Sequence, residues 1–541
     1  MAYIFSFAIA LAVAMLMIPP IKKLAMSWGV VDVPNERKVH LVQTPRMGGL
    51  AIVLAFMVVW VLFLRQESRF LGIVAGMLIV ALVGFLDDAF HLSARWKFLG
   101  QFLAAGVAIY FADLRIDFLG GVIGSQYELG FLSVPLTLIW IVGITNAINL
   151  SDGLDGLAGG ISFIALASFG MLAYQRGDLP LVLICMALLG ATLGFLRYNT
   201  HPADIFMGDT GSLFLGFSLG TLSLVGNFKS LTTLTLITPI LVLLIPIADT
   251  TWAIIRRLWE GRSPFSADKK HLHHRLLALG MDHTQSVSVI YALSAALSVT
   301  AVLLAESSHF KFVLIPLLVL FLAMVALQIF GALNFFRWAE HWSERLDGWV
   351  SSHLQSHIAY WSMRVILIPV LFYFILFAIA LPSASLQIFG ASAFVLILIG
   401  IQFVSKSPNS EGFLVFSLFF LASLVLFNAQ MVVTQAAWLA PIERIFFCLL
   451  LVSILAHVVF QKKRDLILTT PLEIMILVLL VGVTFMPLEW RDSMQISFLL
   501  FRSIVLFMAL KILLLATEKL KRPVVSALAS SLMILAVSLL R

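Results

Sequence analysis

The sequence predicts an all-α, polytopic membrane protein, on three observations. Of 541 residues, 61% are hydrophobic and only 12% charged, where a soluble domain carries about 25% charged residues. The apolar residues form long runs at short intervals, each near the roughly 20 residues that a spanning helix needs. The basic residues collect in alternate loops between those runs, the signature of membrane orientation.

Spans are expected near 3–20, 47–64, 70–86, 98–112, 131–148, 159–174, 180–196, 211–227, 233–249, 287–305 and 311–331, about 11 helices in the first part of the chain. The first run has no basic residue ahead of it and no small-residue cleavage pattern behind it, so it reads as a retained helix with its N-terminus outside. Alternating from there, the inside loops hold 14 Lys and Arg and the outside loops 6. Residues 333–364 form an amphipathic, Trp-rich stretch, expected to be an interfacial linker between a catalytic membrane domain, 1–332, and a further multi-span region, 365–541, of about 7 apolar runs. That last region carries no recognisable catalytic constellation. No internal repeat is evident.

The net charge of +7 lies in short loops between apolar runs, which points to anionic lipid or an anionic substrate and away from nucleic acid. Cys185 and Cys448 sit within apolar runs. They read as small core residues, with neither a disulfide framework nor a metal spacing.

Every polar cluster with chemical character falls on the predicted inner face. Asp87-Asp88 ends the third span; a hydrated helix terminus would explain it, and so would a carboxylate pair beside a cation or a phosphate. Asn146, Asn149 and Asp152 recur every three residues, a spacing that places them on one face if the helix continues, and Asp155 and several glycines follow. In Gly208-Asp209-Thr210-Gly211-Ser212, Thr210 or Ser212 could cap the next span, while Asp209 between glycines suits magnesium, which takes oxygen ligands. His271, His273 and His274 stand among basic residues with no cysteine nearby, which favours anion binding over zinc. Arg37-Lys38-Val39-His40 and Pro45-Arg46-Met47-Gly48-Gly49 add cations and a glycine pair. Carboxylates for a metal and cations for phosphates are together what phosphoryl transfer requires.

These five segments, in this order, resemble the polyprenyl-phosphate N-acetylhexosamine-1-phosphate transferases, most of all the bacterial undecaprenyl-phosphate GlcNAc-1-phosphate transferases, over about residues 1–330. The resemblance implies magnesium dependence, with manganese as a substitute. It implies transfer of a sugar-1-phosphate from a UDP-N-acetylhexosamine to undecaprenyl phosphate with release of UMP, starting a lipid-linked envelope glycan. It implies Asp87, Asp88 and Asp209 as catalytic, Asp209 and Asp152 as metal ligands, and Lys38, His40, Arg46, Asn146, Asn149, Asp155, His271, His273 and His274 as substrate-binding. The expected location is the bacterial cytoplasmic membrane with the active site on the cytoplasmic side. The expected partners are the lipid bilayer and a second copy of the chain or other glycan-assembly proteins. Direct attack by the lipid phosphate is favoured, because that group already carries about −1.5 to −2 charge at neutral pH. A transporter of an anionic or lipid-linked substrate is the competing reading, but transporters place ionisable groups near mid-membrane, often in repeats.

Overall fold

The computed structural model describes residues 2–32, 43–120, 126–225, 237–263, 271–278 and 280–306, and singly 446, 447, 449, 450 and 506. The chain divides into two compact units, 1–322 and 323–541. Nearly all described residues belong to the first. The expected span at 311–331, the linker at 333–364 and nearly all of the region 365–541 lie outside them, as does Cys448.

The first unit is helical. Its elements are α1 (Ala2–Ser27), α2 (Gly49–Val59, continued by a π turn over Trp60–Leu64), α3 (Leu71–Phe90), α4 (Ala94–Ala112), α5 (Ser133–Leu150), α6 (Leu157–Gln175), α7 (Leu179–Asn199), α8 (Gly208–Val225), α9 (Ile237–Val242), α10 (Leu244–Trp259), α11 (Leu272–Ala278) and α12 (His283–Glu306). Six helices among the described residues are long and apolar enough to cross a membrane. With every backbone amide and carbonyl bonded inside its own segment, a helix can enter lipid without stranding polar groups. The chain is therefore a polytopic helical membrane protein.

Helix α8 forms the core. Every residue from Gly208 to Val225 is buried apart from Asp209, and α2, α3, α5 and α6 pack around it. Lipid removes the hydrophobic drive between helices, so close packing along small residues takes its place. Gly216 and Gly220 of α8 lie against Thr145 and Ile141 of α5, and Gly190 and Gly194 of α7 against the α1 backbone.

Three features depart from the expected pattern. The span placed at 233–249 is interrupted at Leu243: α9 stops at Val242 and α10 runs on to Trp259, carrying Arg256 and Arg257 in its last turn. Pro246 has no N–H to return to Val242, which removes the bond that would carry one helix through. The span placed at 211–227 begins earlier, at Gly208, so Asp209 lies in the first turn of α8. Two short ribbons also occur, β1 (Val31–Asp32) with β2 (Thr44–Pro45) and β3 (Phe118–Gly120) with β4 (Gln126–Glu128), both antiparallel.

Candidate active site

The end of α3, the start of α4, the end of α5 and the start of α8 meet at one end of the first unit. Asp88, in the last turn of α3, accepts from the Asp209 N–H at 2.8 Å, the Thr210 N–H at 3.0 Å and the Thr210 hydroxyl at 2.6 Å. The opening amides of a helix have no partner within it, and a carboxylate there also gains from the helix dipole. Asp88 supplies that cap from another helix, which is why α8 starts at Gly208. The fit requires glycine at 208: its φ is +71°, and a Cβ there would run into the Asp88 carboxylate and the Arg46 carbonyl. Thr210 and Ser212, weighed as caps, have other roles. Thr210 donates to Asp88, while Ser212 donates to the Gly208 carbonyl at 3.0 Å and accepts from Asn149 at 2.8 Å.

Lys97, in the first turn of α4, joins the remaining carboxylates. Its ammonium bonds Asp87 at 3.0 Å and also Asp209. The other oxygen of Asp209 accepts from the Asn149 amide at 3.0 Å. One turn further along α4, the buried Gln101 pairs through its amide with Asn146. Asn146 and Asn149 are thus both on α5 and both turned to this cluster. Asp152 lies past the helix end, in the turn 151–156.

That turn is held from three directions. Asn199 accepts from the Gly156 N–H at 2.9 Å, the Tyr291 hydroxyl donates to the Gly156 carbonyl at 2.6 Å, and the Asp155 N–H donates to His283 Nε2 at 3.1 Å. The Asp155 carboxylate bonds His201 Nδ1 at 2.7 Å and accepts from the Ala203 N–H at 3.1 Å. Asp155, His201 and His283 offer three ligand atoms within 4.8 Å of one another. However, the Nε2 lone pair of His283 already faces an amide and the two imidazoles stack at 4.1 Å. The trio therefore reads as a latch on the turn. Asp152 feels the charges of Asp209, Arg46, Asp88 and Asp155; burial first, then the Asp209 charge, push its carboxyl up to about 7.

The histidine segment reaches the same turn. His273 is buried, and a Cβ on Gly153 would stand 2.6 Å from its Nε2. His271 stacks parallel to His273 at 5.9 Å, and the His274 ring lies 4.2 Å from that of His273. Burial, then the neighbouring His274 and His271, hold His273 down to about 4. It is neutral at pH 7, so it offers one N–H rather than a charge.

The second segment is joined through the backbone. Phe206 N–H donates to the Pro45 carbonyl at 2.7 Å, and the amides of Gly48 and Gly49 donate to Phe206 and Met207 at 2.9 and 2.8 Å. Arg46 lies 3.7 Å from Asp32 and within reach of the Asp152 charge. Lys38 and His40 lie outside the described residues. The structure thus gathers Arg46, Asp87, Asp88, Asn146, Asn149, Asp152, Asp155, Asp209, His271, His273 and His274. The sequence reading missed Lys97 as a site residue, and with it Gln101, His201 and His283. Lys97 counted only as a basic loop residue; its place ten positions after Asp87, across a short turn, was the available signal.

The cluster brings five carboxylates against two cations, Lys97 and Arg46, an excess of negative charge and of the oxygen donors that hard divalent cations take.

The profile of Glycosyl transferase family 4 matches residues 70–227, which contain most of this cluster. The chain is 43% identical over 332 residues to a probable undecaprenyl-phosphate N-acetylglucosaminyl 1-phosphate transferase of Bacillus subtilis, covering 61% of this chain and 92% of that one. It is 40% identical to a decaprenyl-phosphate N-acetylglucosaminephosphotransferase of Mycolicibacterium smegmatis, covering 50% of this chain and 74% of that one. It is 32% identical to an undecaprenyl-phosphate alpha-N-acetylglucosaminyl 1-phosphate transferase of Escherichia coli K12, covering 53% and 80%. With relatives 32–43% identical and matched over 74–92% of their own length, the chain is placed: it belongs to the polyprenyl-phosphate N-acetylglucosamine-1-phosphate transferases of glycosyl transferase family 4.

Proposed function

We propose that this chain transfers N-acetylglucosamine-1-phosphate from UDP-N-acetylglucosamine to undecaprenyl phosphate at the cytoplasmic face of a bacterial inner membrane, with magnesium or manganese. Transfer of a sugar-1-phosphate to a polyprenyl phosphate follows from family membership. The sugar, the metal and the face are the finer reading. The face is supported by the concentration of Lys and Arg in the loops on the site's side.

One observation carries the chemistry: Lys97 bonds Asp87 of α3 and Asp209 of α8, with Asn149 of α5 on the other Asp209 oxygen. A cation already sits between carboxylates from separate helices, and carboxylate oxygens are the donors that magnesium takes. Asp209 and Asp152 would hold the ion. When bound, magnesium neutralises the donor diphosphate and the charge that develops on the leaving phosphate.

The chain's own groups do the rest. Asp87 and Lys97 orient the lipid phosphate. One of its oxygens forms a bond to the sugar-bearing phosphorus; the bond from that phosphorus to the bridging oxygen breaks, and the electron pair leaves on UMP. Lys97 and Arg46 supply positive charge, and the neutral His273 supplies a hydrogen bond. We assign Asp88 a positioning role, because its carboxylate is committed to the amides and hydroxyl at the head of α8.

The test is UMP release by the purified full-length protein given undecaprenyl phosphate, magnesium and a panel of UDP-sugars. Turnover with UDP-N-acetylglucosamine above the other sugars is expected. A stronger response to another UDP-sugar would change the sugar, and release without any divalent ion would overturn the metal assignment.

A further inference from the structure

Asp249, in the second turn of α10, belongs to none of the five motifs, yet both its oxygens are engaged by the histidine segment. Oδ2 lies 2.9 Å from His271 Nδ1, and Oδ1 accepts from the Leu272 N–H at 2.8 Å. Two fixed points define the plane of the carboxylate and therefore the direction in which it holds the ring. An ionised carboxylate only accepts, so Nδ1 carries a proton. Nε2 is then turned away from α10. The order across the site is Asp249, His271, His273, Gly153: the two rings are parallel within 2°, and His273 abuts the turn that carries Asp152. His271 is buried, with 6% of its side chain exposed, so a misoriented ring has no solvent to turn into.

We propose that Asp249 is a positioning residue that acts through His271, fixing the direction of the ring and supporting the positive charge with which Nε2, once it also carries a proton, donates to the diphosphate of the nucleotide-sugar. This rests on the expectation that His271 is substrate-binding, with the donor's diphosphate as the anion that it meets. Partners of this kind behind a working histidine fix ring and tautomer at metal and catalytic sites, and their loss costs about 10–100-fold.

The experiment is a double-mutant cycle on the full-length protein in detergent, with KM for UDP-N-acetylglucosamine and for undecaprenyl phosphate read separately. Asp249→Asn keeps an acceptor for the Leu272 N–H but offers an amide N–H to Nδ1. A rise in the donor KM of about tenfold is expected, with the lipid KM within about twofold. His271→Ala should raise the donor KM at least as much. The double variant should be no worse than His271→Ala alone. Losses that multiply would overturn the proposal, since Asp249 would then act independently of His271, as would an unchanged donor KM in Asp249→Asn. His271→Ala without effect on the donor KM would instead remove the assignment of His271 to the diphosphate, a separate failure. Where Asp249→Asn does not fold, Asp249→Glu carries the same cycle: it keeps the charge, lengthens the arm by one methylene, and must show the same non-additivity.

Discussion

Asp88 at the end of α3 grips Thr210 at the head of α8 twice, through its N–H at 3.0 Å and its hydroxyl at 2.6 Å. Both residues are buried, and the next residue toward the helix start is Asp209. The grip therefore sets where Asp209 stands. Asp88→Asn would turn an amide toward N–H donors and leave at least one buried donor unmet, a cost of about 1–3 kcal/mol. Thermal unfolding should show that loss, and transfer should fall about a hundredfold through displacement of Asp209. Thr210→Val removes only the hydroxyl contact and should lose less on both counts. An Asp88→Asn protein with normal turnover would show that Asp209 does not depend on this cap.

At the proposed metal site, Lys97 would compete with a divalent ion for the same carboxylates. Lys97→Gln leaves Asp87 and Asp209 without their shared cation and makes the local potential more negative. Two effects of opposite sign are expected: the magnesium concentration for half-maximal activity falls several-fold, while kcat falls by about a hundredfold or more. A magnesium titration of wild type and variant, with UMP release as the signal, separates them. A higher magnesium requirement in the variant would mean that Lys97 supports metal binding.

How far the sequence foretold this site depends on the kind of contact. Helices with long apolar runs were legible because spanning length is a one-dimensional property, and Asp87, Asn149 and Asp209 were legible because acids and amides at the ends of such runs are costly without a purpose. The break at Leu243 is harder to place, since apolar composition runs straight through it and only Pro246 marks it. His201 and His283 stand 82 positions apart in the chain, and no local pattern joins either to Asp155. Lys97 was hidden for another reason: a lysine just inside a helix at a membrane surface is also what orientation alone would produce.

With Asp152 as a proposed metal ligand, metal binding should depend on pH. Its carboxyl is pushed up to about 7 by burial and by the Asp209 charge. Only the ionised form binds a cation, so below that pH a proton must be displaced. The half-saturating magnesium concentration should rise as pH falls, approaching about tenfold per pH unit below 7, and level off above it. Saturating magnesium should restore activity at pH 6, as the ion itself favours the ionised carboxylate. Asp152→Asn should flatten the dependence while raising the requirement at every pH. Magnesium titrations across pH 5.5 to 8.5 check the slope, and the same slope in Asp152→Asn would assign the titration to another group.

Gly153 joins the turn that carries Asp152 to the histidine segment. A Cβ there would meet the His273 ring at 2.6 Å from Nε2 and 2.7 Å from Cε1. The ring is buried and lies between His271 and His274, so it cannot swing clear at low cost. Gly153→Ala should push the histidines off the turn and spare the Asp88–Thr210 cap, which lies on other elements. The donor KM should rise about tenfold or more, with the KM for undecaprenyl phosphate nearly unchanged. Adding His273→Ala to Gly153→Ala removes the clashing ring. The double variant should then match His273→Ala alone, because the alanine at 153 has nothing left to strike. Further loss in the double variant would place the damage in the turn itself, at Asp152, and would argue that the histidines and the metal-side carboxylates work as separate parts.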